Sequence, residues 1–259
     1  MTSLSTAIAS AGKTLRVSFL LARVDVRNSY KRTSLGPFWG TISSAVMIFT
    51  LWAVFGHLFT DESYFPYLAT GIIFWSLISG PISASSAVFT SNESLIRSTP
   101  LPMWTYLSRT IAKYTLVFAH SFAVIPLVVI ATLGEISWTA ILSFLAWPLV
   151  IGNVIWLTSL ISFLSTRYRD FAPIVGNLMT VLFYLTPIFW KPDILHPTFR
   201  ESFLAWNPFF YLTNLLREPW LGSAPSQLDW TVGISLLIAG SLVNMLVYQR
   251  FKHRIAFWL

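Results

Sequence analysis

The sequence contains no cysteine, which excludes disulfides, thiolate metal sites and cysteine nucleophiles. Charge is nearly as scarce. Only 10% of the 259 residues are Asp, Glu, Lys or Arg, against roughly a quarter in an average soluble protein. So depleted a chain cannot cover a globular surface with polar groups, and much of its surface must face lipid. The acids Asp61, Glu62, Glu135 and Asp229 are scattered among connecting segments rather than gathered. Neither a catalytic residue nor a metal site is therefore expected. Residues 1–36 hold no apolar run ahead of their basic stretch, so a cleavable signal peptide is not expected either.

What the chain does have is apolar length. Hydrophobic residues make up 55% of it, and six apolar segments stand out, at 37–58, 65–89, 104–133, 138–165, 171–190 and 230–248. A spanning helix needs about 20 apolar residues. The expected fold class is an all-α membrane protein with six transmembrane helices, and residues 1–259 leave connections too short for a second, soluble domain.

Charge distribution orients these segments. With the N-terminal segment placed inside, the inner side carries 14 Lys and Arg and the outer side three. Net charge is then +11 inside and −4 outside, which together give the overall +7. By the positive-inside rule both termini are expected in the cytoplasm. This asymmetry also removes nucleic acid as the reason for the positive charge.

Two further apolar runs, 203–206 and 209–216, are well short of a span. Asn207 suits an N-cap and Pro208 a first helical position. A crossing here would put the basic tail outside, so the stretch 195–220 reads as short outer helices, re-entrant or interfacial, over a conduit. Residues 13–34 read as an amphipathic interfacial helix. Leu15, Phe19, Ala22, Val26 and Tyr30 share one stripe, with Arg16, Arg23 and Arg27 beside it for anionic headgroups.

Span interiors are almost free of ionisable groups, whereas ion-coupled carriers place such groups there. Arg109 and Lys113 lie near the cytoplasmic end of the third span and are expected to snorkel, and His120 reads as a helix-packing hydrogen bonder. Gly12-Lys13-Thr14 matches the end of a P-loop, but Ala7 stands where its first glycine belongs and no strand precedes it. The chain is not expected to bind ATP. Aromatics make up 16% of the residues. Trp39, Trp104, Trp138, Trp190 and Trp230 suit the interfacial belt, whereas Trp52, Phe55, Phe74, Trp75, Phe183 and Tyr184 lie deeper. Helix packing explains the deeper set, and so does a conduit whose flat faces stack on sugar rings.

Two inner connections complete the reading. Residues 91–99 read either as a short helix displaying Leu95 and Ile96 to a protein partner or as a loop lying against the headgroups. The loop Arg167-Tyr168-Arg169-Asp170 reads as positive-inside anchoring.

The run Tyr30-Lys31-Arg32-Thr33-Ser34-Leu35-Gly36-Pro37-Phe38-Trp39 resembles a signature of polysaccharide exporters, the transmembrane subunits of type-2 ABC exporters for O-antigen, capsule and teichoic acid. Similar landmarks follow at 167–170, at Leu185-Thr186-Pro187-Ile188-Phe189-Trp190, and from Trp206-Asn207-Pro208 through Arg217, in family order. The resemblance implies a homodimer in the bacterial inner membrane, driven by two copies of a separate P-loop ATPase that carries the ATP and Mg. No cofactor is implied on this chain. It further implies a coupling helix at 91–99, with Glu93, Leu95, Ile96 and Arg97 meeting the ATPase beside Arg167, Arg169 and Asp170. Trp52, Phe55, Phe183 and Tyr184 would line the channel. Asn207, Pro208, Phe209 and Arg217 would belong to an outer gate. Arg27, Lys31 and Arg32 would meet either the diphosphate of a polyprenyl-linked glycan or lipid headgroups. O-antigen is the favoured cargo. The alternatives are a membrane-embedded enzyme acting on lipid-linked sugars and a proton-coupled carrier.

Overall fold

In the computed structural model, which describes residues 4–31, 33, 36, 38–59, 61–99, 101–252 and 254–259, helices are the only regular secondary structure among the described residues. Helix α1 (Leu4–Ser29) precedes α2 (Phe38–Phe55) and α3 (Tyr64–Ser85). A one-turn-and-a-half helix, α4 (Glu93–Ser98), leads to α5 (Met103–Phe122) and α6 (Val124–Leu133), which form one long rod. The chain continues through α7 (Ala140–Arg167), α8 (Phe171–Leu185), α9 (Pro197–Ala205), α10 (Pro208–Arg217), α11 (Gln227–Phe251) and α12 (Ile255–Trp258). Five of these, counting α5–α6 once, are long and apolar enough to cross a membrane: α2, α3, α5–α6, α7 and α11. The protein is therefore an all-α, multi-pass membrane protein.

The rod breaks between Phe122 and Val124 because Pro126 has no N–H for the Phe122 carbonyl and its ring crowds that carbonyl. Gly134, at φ +83°, ends α6 in a backbone conformation that side chains resist. Ser226 and Asp229 close a reciprocal capping box at the start of α11.

Helix α3 is the hub. Leu68, Ile72, Ile73, Phe74, Leu77, Ile78 and Ile82 are buried around its circumference, and a helix apolar on all sides must sit at the centre of its bundle. Phe74 meets Phe118 and Phe122 of α5, so it is a packing residue.

Two expectations change. The segment 171–190 is not a full-length helix: α8 stops at Leu185, after 15 residues, roughly 22 Å of rise against a hydrocarbon core of about 30 Å. Pro187 is the cause, since it cannot continue a helix and drives Thr186 into extended backbone (φ −86°, ψ 134°).

The N-terminal helix also begins earlier than residue 13, and its apolar stripe is divided. Ser18, Ala22 and Val26 are buried against α5, whereas Leu15 and Phe19 are exposed. The Ser18 hydroxyl lies 2.7 Å from that of Ser108 and 3.2 Å from the Thr105 carbonyl. Asp25 takes both forks of the Arg109 guanidinium at 2.6 Å. Arg109 therefore does not snorkel. An acid one helix away satisfies it, and that partner is visible only once α1 lies on α5.

Helices α7 and α11 pack closely through small residues, as helices without a hydrophobic driving force between them do. Asn153 Nδ2 donates to the Gly233 carbonyl at 3.0 Å. One heptad on, the Trp156 indole occupies the space a Cβ on Gly240 would need. Gly240→Val should cost about 1–3 kcal/mol through overpacking, read as a lowered thermal midpoint of the purified protein in detergent. An unchanged midpoint would mean that the two helices do not approach in this way.

Candidate functional site

Three helices, α2, α3 and α8, enclose a groove of about 480 Å³. Its lining follows helical stripes: Ser43, Ser44 and Met47 from α2, Ser76, Ser79 and Ser83 from α3, and Gly176, Met179, Thr180, Phe183 and Tyr184 from α8. Trp75 closes its floor, 6.2 Å from the Phe183 ring centroid and 5.7 Å from that of Phe209. Several hydroxyls donate to their own helices, Ser43 to the Trp39 carbonyl, Ser44 to Gly40, Ser76 to Ile73 and Thr180 to Gly176. Each such oxygen keeps acceptor capacity towards the groove at little desolvation cost.

Of the four residues expected in a channel, Phe183 and Tyr184 line this groove and Trp52 and Phe55 do not. Trp52 packs edge-on against Phe65 at 5.7 Å, and Phe55 lies against Phe189 at 5.4 Å. The hydroxyl ladder was missed in the sequence. Its signal was there, since Ser76, Ser79 and Ser83 fall at i, i+3 and i+7 on one helical face.

At one end of the groove, the backbone beyond Leu185 leaves carbonyls that no helix satisfies, and side chains from α3 and α10 take them. Tyr64 Oη donates to the Phe189 carbonyl at 2.7 Å, and Tyr67 Oη to that of Pro187 at 2.9 Å. Arg217, only 1% exposed, donates from Nη1 to the same Pro187 carbonyl and from Nη2 to Asn214 Oδ1, both at 2.7 Å. Its guanidinium stacks on the Tyr67 ring 3.9 Å away. Asn207 caps α10 by accepting from Phe209 N–H and donates to Thr186 Oγ1 at 3.0 Å. Pro208 sits in the first turn of α10. The four residues expected at an outer gate thus cluster, and α10 is inserted between α3, α7 and α11 rather than lying on the surface.

At the opposite end of the bundle, α4 rests Leu95 and Ile96 against a cluster containing Val88, Phe89, Tyr106, Leu107, Phe163 and Ile255. Both are partly buried there, so a helix this short is seated by its only apolar pair while part of each side chain stays exposed. Its exposed face carries the Glu93–Arg97 ion pair at 2.9 Å. Glu93 and Arg169 line one cleft with Trp258, Arg167 stacks over Trp258 at 5.3 Å, and Asp170 is exposed just before α8. Arg27 and Lys31 line a separate cavity of about 600 Å³ with Arg23, Tyr30 and His120. Arg32 lies outside the described residues. Among the described residues, no His, Asp and Glu cluster could hold a metal.

The profile of ABC-2 type transporter membrane proteins matches residues 16–220. The chain belongs to the ABC-2 type transporter family. An ABC-2 protein of this kind is a transport component rather than an enzyme, and the family implies a partner ATPase subunit. Over 248 residues the chain is 23% identical to the O-antigen export system permease protein RfbA of Klebsiella pneumoniae, covering 92% of each chain. To the polysialic acid transport protein KpsM of Escherichia coli it is 21% identical over 231 residues, 86% of this chain and 87% of that protein.

One polar link ties the α2–α3 turn of this ABC-2 chain to the segment after α8. Lys191 Nζ reaches Asp61 Oδ2 at 2.6 Å and Ser63 Oγ at 2.8 Å. Hydrogen bonding from Lys191, then from Ser63, holds the Asp61 carboxyl well below the usual carboxylate range. A depressed folded pKa gives stability that is present above the unfolded value and lost as pH falls through the folded one. The thermal-midpoint gap between the wild type and Asp61→Asn should hold steady from about pH 8 to 5, shrink below about pH 3.9, and close at lower pH. A gap that grew on acidification would contradict the pairing.

Proposed function

We propose that the chain is the membrane-spanning subunit of an ATP-driven exporter that moves a lipid-linked polysaccharide, with O-antigen favoured, from the cytoplasm across the bacterial inner membrane. Two copies form the conduit, and two copies of a separate P-loop ATPase carry the ATP and Mg. Both termini face the cytoplasm, in keeping with 14 cations against three on the two sides.

The observation that carries this reading is the groove itself. A ladder of hydroxyls beside Trp75, Phe183 and Tyr184 offers acceptors that hydrocarbon leaves unused and that water and sugar can engage. It is open along one side, and two of the helices that flank it bury little: Ile48 alone on α2, and Val175 and Met179 on α8. A second copy facing it would close the groove into a conduit. Aromatic faces and self-satisfied hydroxyls bind sugar rings shallowly and without strict register, which suits a sliding polymer. The relatives' own cargoes, O-antigen and polysialic acid, point to the same class. Arg27 and Lys31, at the mouth of the basic cavity, would meet the anionic carrier group.

The deciding measurement is a tagged pull-down from native membranes in mild detergent. Equal amounts of a P-loop ATPase and this chain are expected, and reproducible absence of the ATPase with the chain folded would overturn the assignment. Within an intact complex, Ser79→Phe should obstruct the groove and lower export about ten-fold, equivalent to ~1.4 kcal/mol, with assembly unchanged. Normal export would remove this groove from the pathway.

A further inference from the structure

Arg109 bonds to two other elements at once. Its Nε and Nη2 meet the two carboxylate oxygens of Asp25 on α1, and Nη1 donates to Asn92 Oδ1 at 3.0 Å. Asn92 immediately precedes α4, and its own amide donates to the Val88 carbonyl at 2.7 Å. The Arg109 and Asp25 side chains are 20% and 23% exposed, so salt screens them weakly. A planar guanidinium holding three acceptors fixes their relative positions, as a flexible point charge would not.

Helix α1 does not need this pair for its seat. Ser18, Ala22 and Val26 already bury it on α5, and a half-buried ion pair is a weak stabiliser compared with apolar packing of the same volume. The bond to Asn92 adds nothing to the α1–α5 contact. What it adds is a third element, α4. At its other end α1 leads towards α2, and the Tyr30 hydroxyl lies beside Gly40 near the start of that groove-lining helix.

We propose that Asn92, Arg109 and Asp25 form a positioning relay through which displacement of α4 moves α1, and with it α2 at the wall of the groove. The proposal rests on the reading of α4 as the helix seated in the ATPase partner. The relay makes α1 a moving part of the export cycle, with Arg109 as its pivot.

The test uses the complete complex with its ATPase and four variants: Asp25→Asn, Asn92→Ala, Arg109→Gln and the double variant Asp25→Asn/Asn92→Ala. Two quantities are read: ATP hydrolysis by the purified complex, and surface polysaccharide extracted from intact cells carrying only that variant. Arg109→Gln should leave assembly and hydrolysis near wild type while export per ATP falls about ten-fold, within the range of coupling between linked sites. The double variant should be no worse than Arg109→Gln, because all three residues act in one path. Export falling in parallel with hydrolysis or assembly would reduce the cluster to a structural brace and overturn the relay, as would export per ATP that stays at the wild-type value. Should Arg109→Gln fail to fold, Asn92→Ala decides, since it leaves the Asp25–Arg109 pair intact and cuts the arm to α4, together with the Asn92 bond to the Val88 carbonyl. If the wild-type complex itself contains no ATPase or exports nothing, the transport reading has failed and not the relay.

Discussion

Everything in this fold has to respect the rule that a backbone carbonyl at membrane depth finds a donor within the protein. The rule is tested hardest just after Leu185. Pro187 ends α8 early, and the carbonyls of Pro187 and Phe189 are left without helical partners. Tyr64, Tyr67 and Arg217 supply the donors, two from α3 and one from α10. Removing Tyr64 would strand the Phe189 carbonyl, at about 1–3 kcal/mol, whereas the Pro187 carbonyl would keep one of its two donors if Tyr67 or Arg217 alone were lost. The short α8 is therefore possible only because α3 and α10 are where they are.

That dependence sets the rest of this end of the bundle. Arg217 is drawn inward by the Pro187 carbonyl and the Tyr67 ring, so α10 cannot lie flat on the membrane surface. Its first turn then brings Phe209 onto Trp75, and Trp75 forms the floor of the groove. Helix α10 and the groove wall thus share one aromatic contact, a direct physical link between the cluster around Arg217 and the lining of the groove.

Much of this was readable in the sequence, because apolar length and charge asymmetry are global signals that need no tertiary knowledge. The helical class and the multi-pass character follow from such signals, and the ABC-2 transporter family from the landmarks at 30–39, 167–170, 185–190 and 206–217. What escaped was relational. Arg109 looks like a snorkelling cation until Asp25 is placed beside it. Leu95 and Ile96 look like a partner's footing until the cluster around Phe163 takes them in. Trp52, Phe55, Phe183 and Tyr184 are alike in composition, and only helix rotation sends the last two into the groove. Pro187 was the exception, since its effect on the preceding helix is local and could have shortened the fifth segment from the sequence alone.

The uneven packing of the helices indicates where motion is possible. Helix α3 is buried along most of its length, and α7, α10 and α11 are locked to it or to one another by close contacts. By contrast α2 and α8 bury three residues between them. Segments with few buried contacts are those that rearrange at low free-energy cost. The groove therefore lies between a rigid wall and two compliant ones. Both compliant walls are held at their ends, α8 by the donors that satisfy its terminal carbonyls, and α2 by its connection to α1 and, beyond its other end, by the Asp61–Lys191 pair. Movement of these walls against α3 would therefore change the width of the groove along its middle while its ends stay fixed.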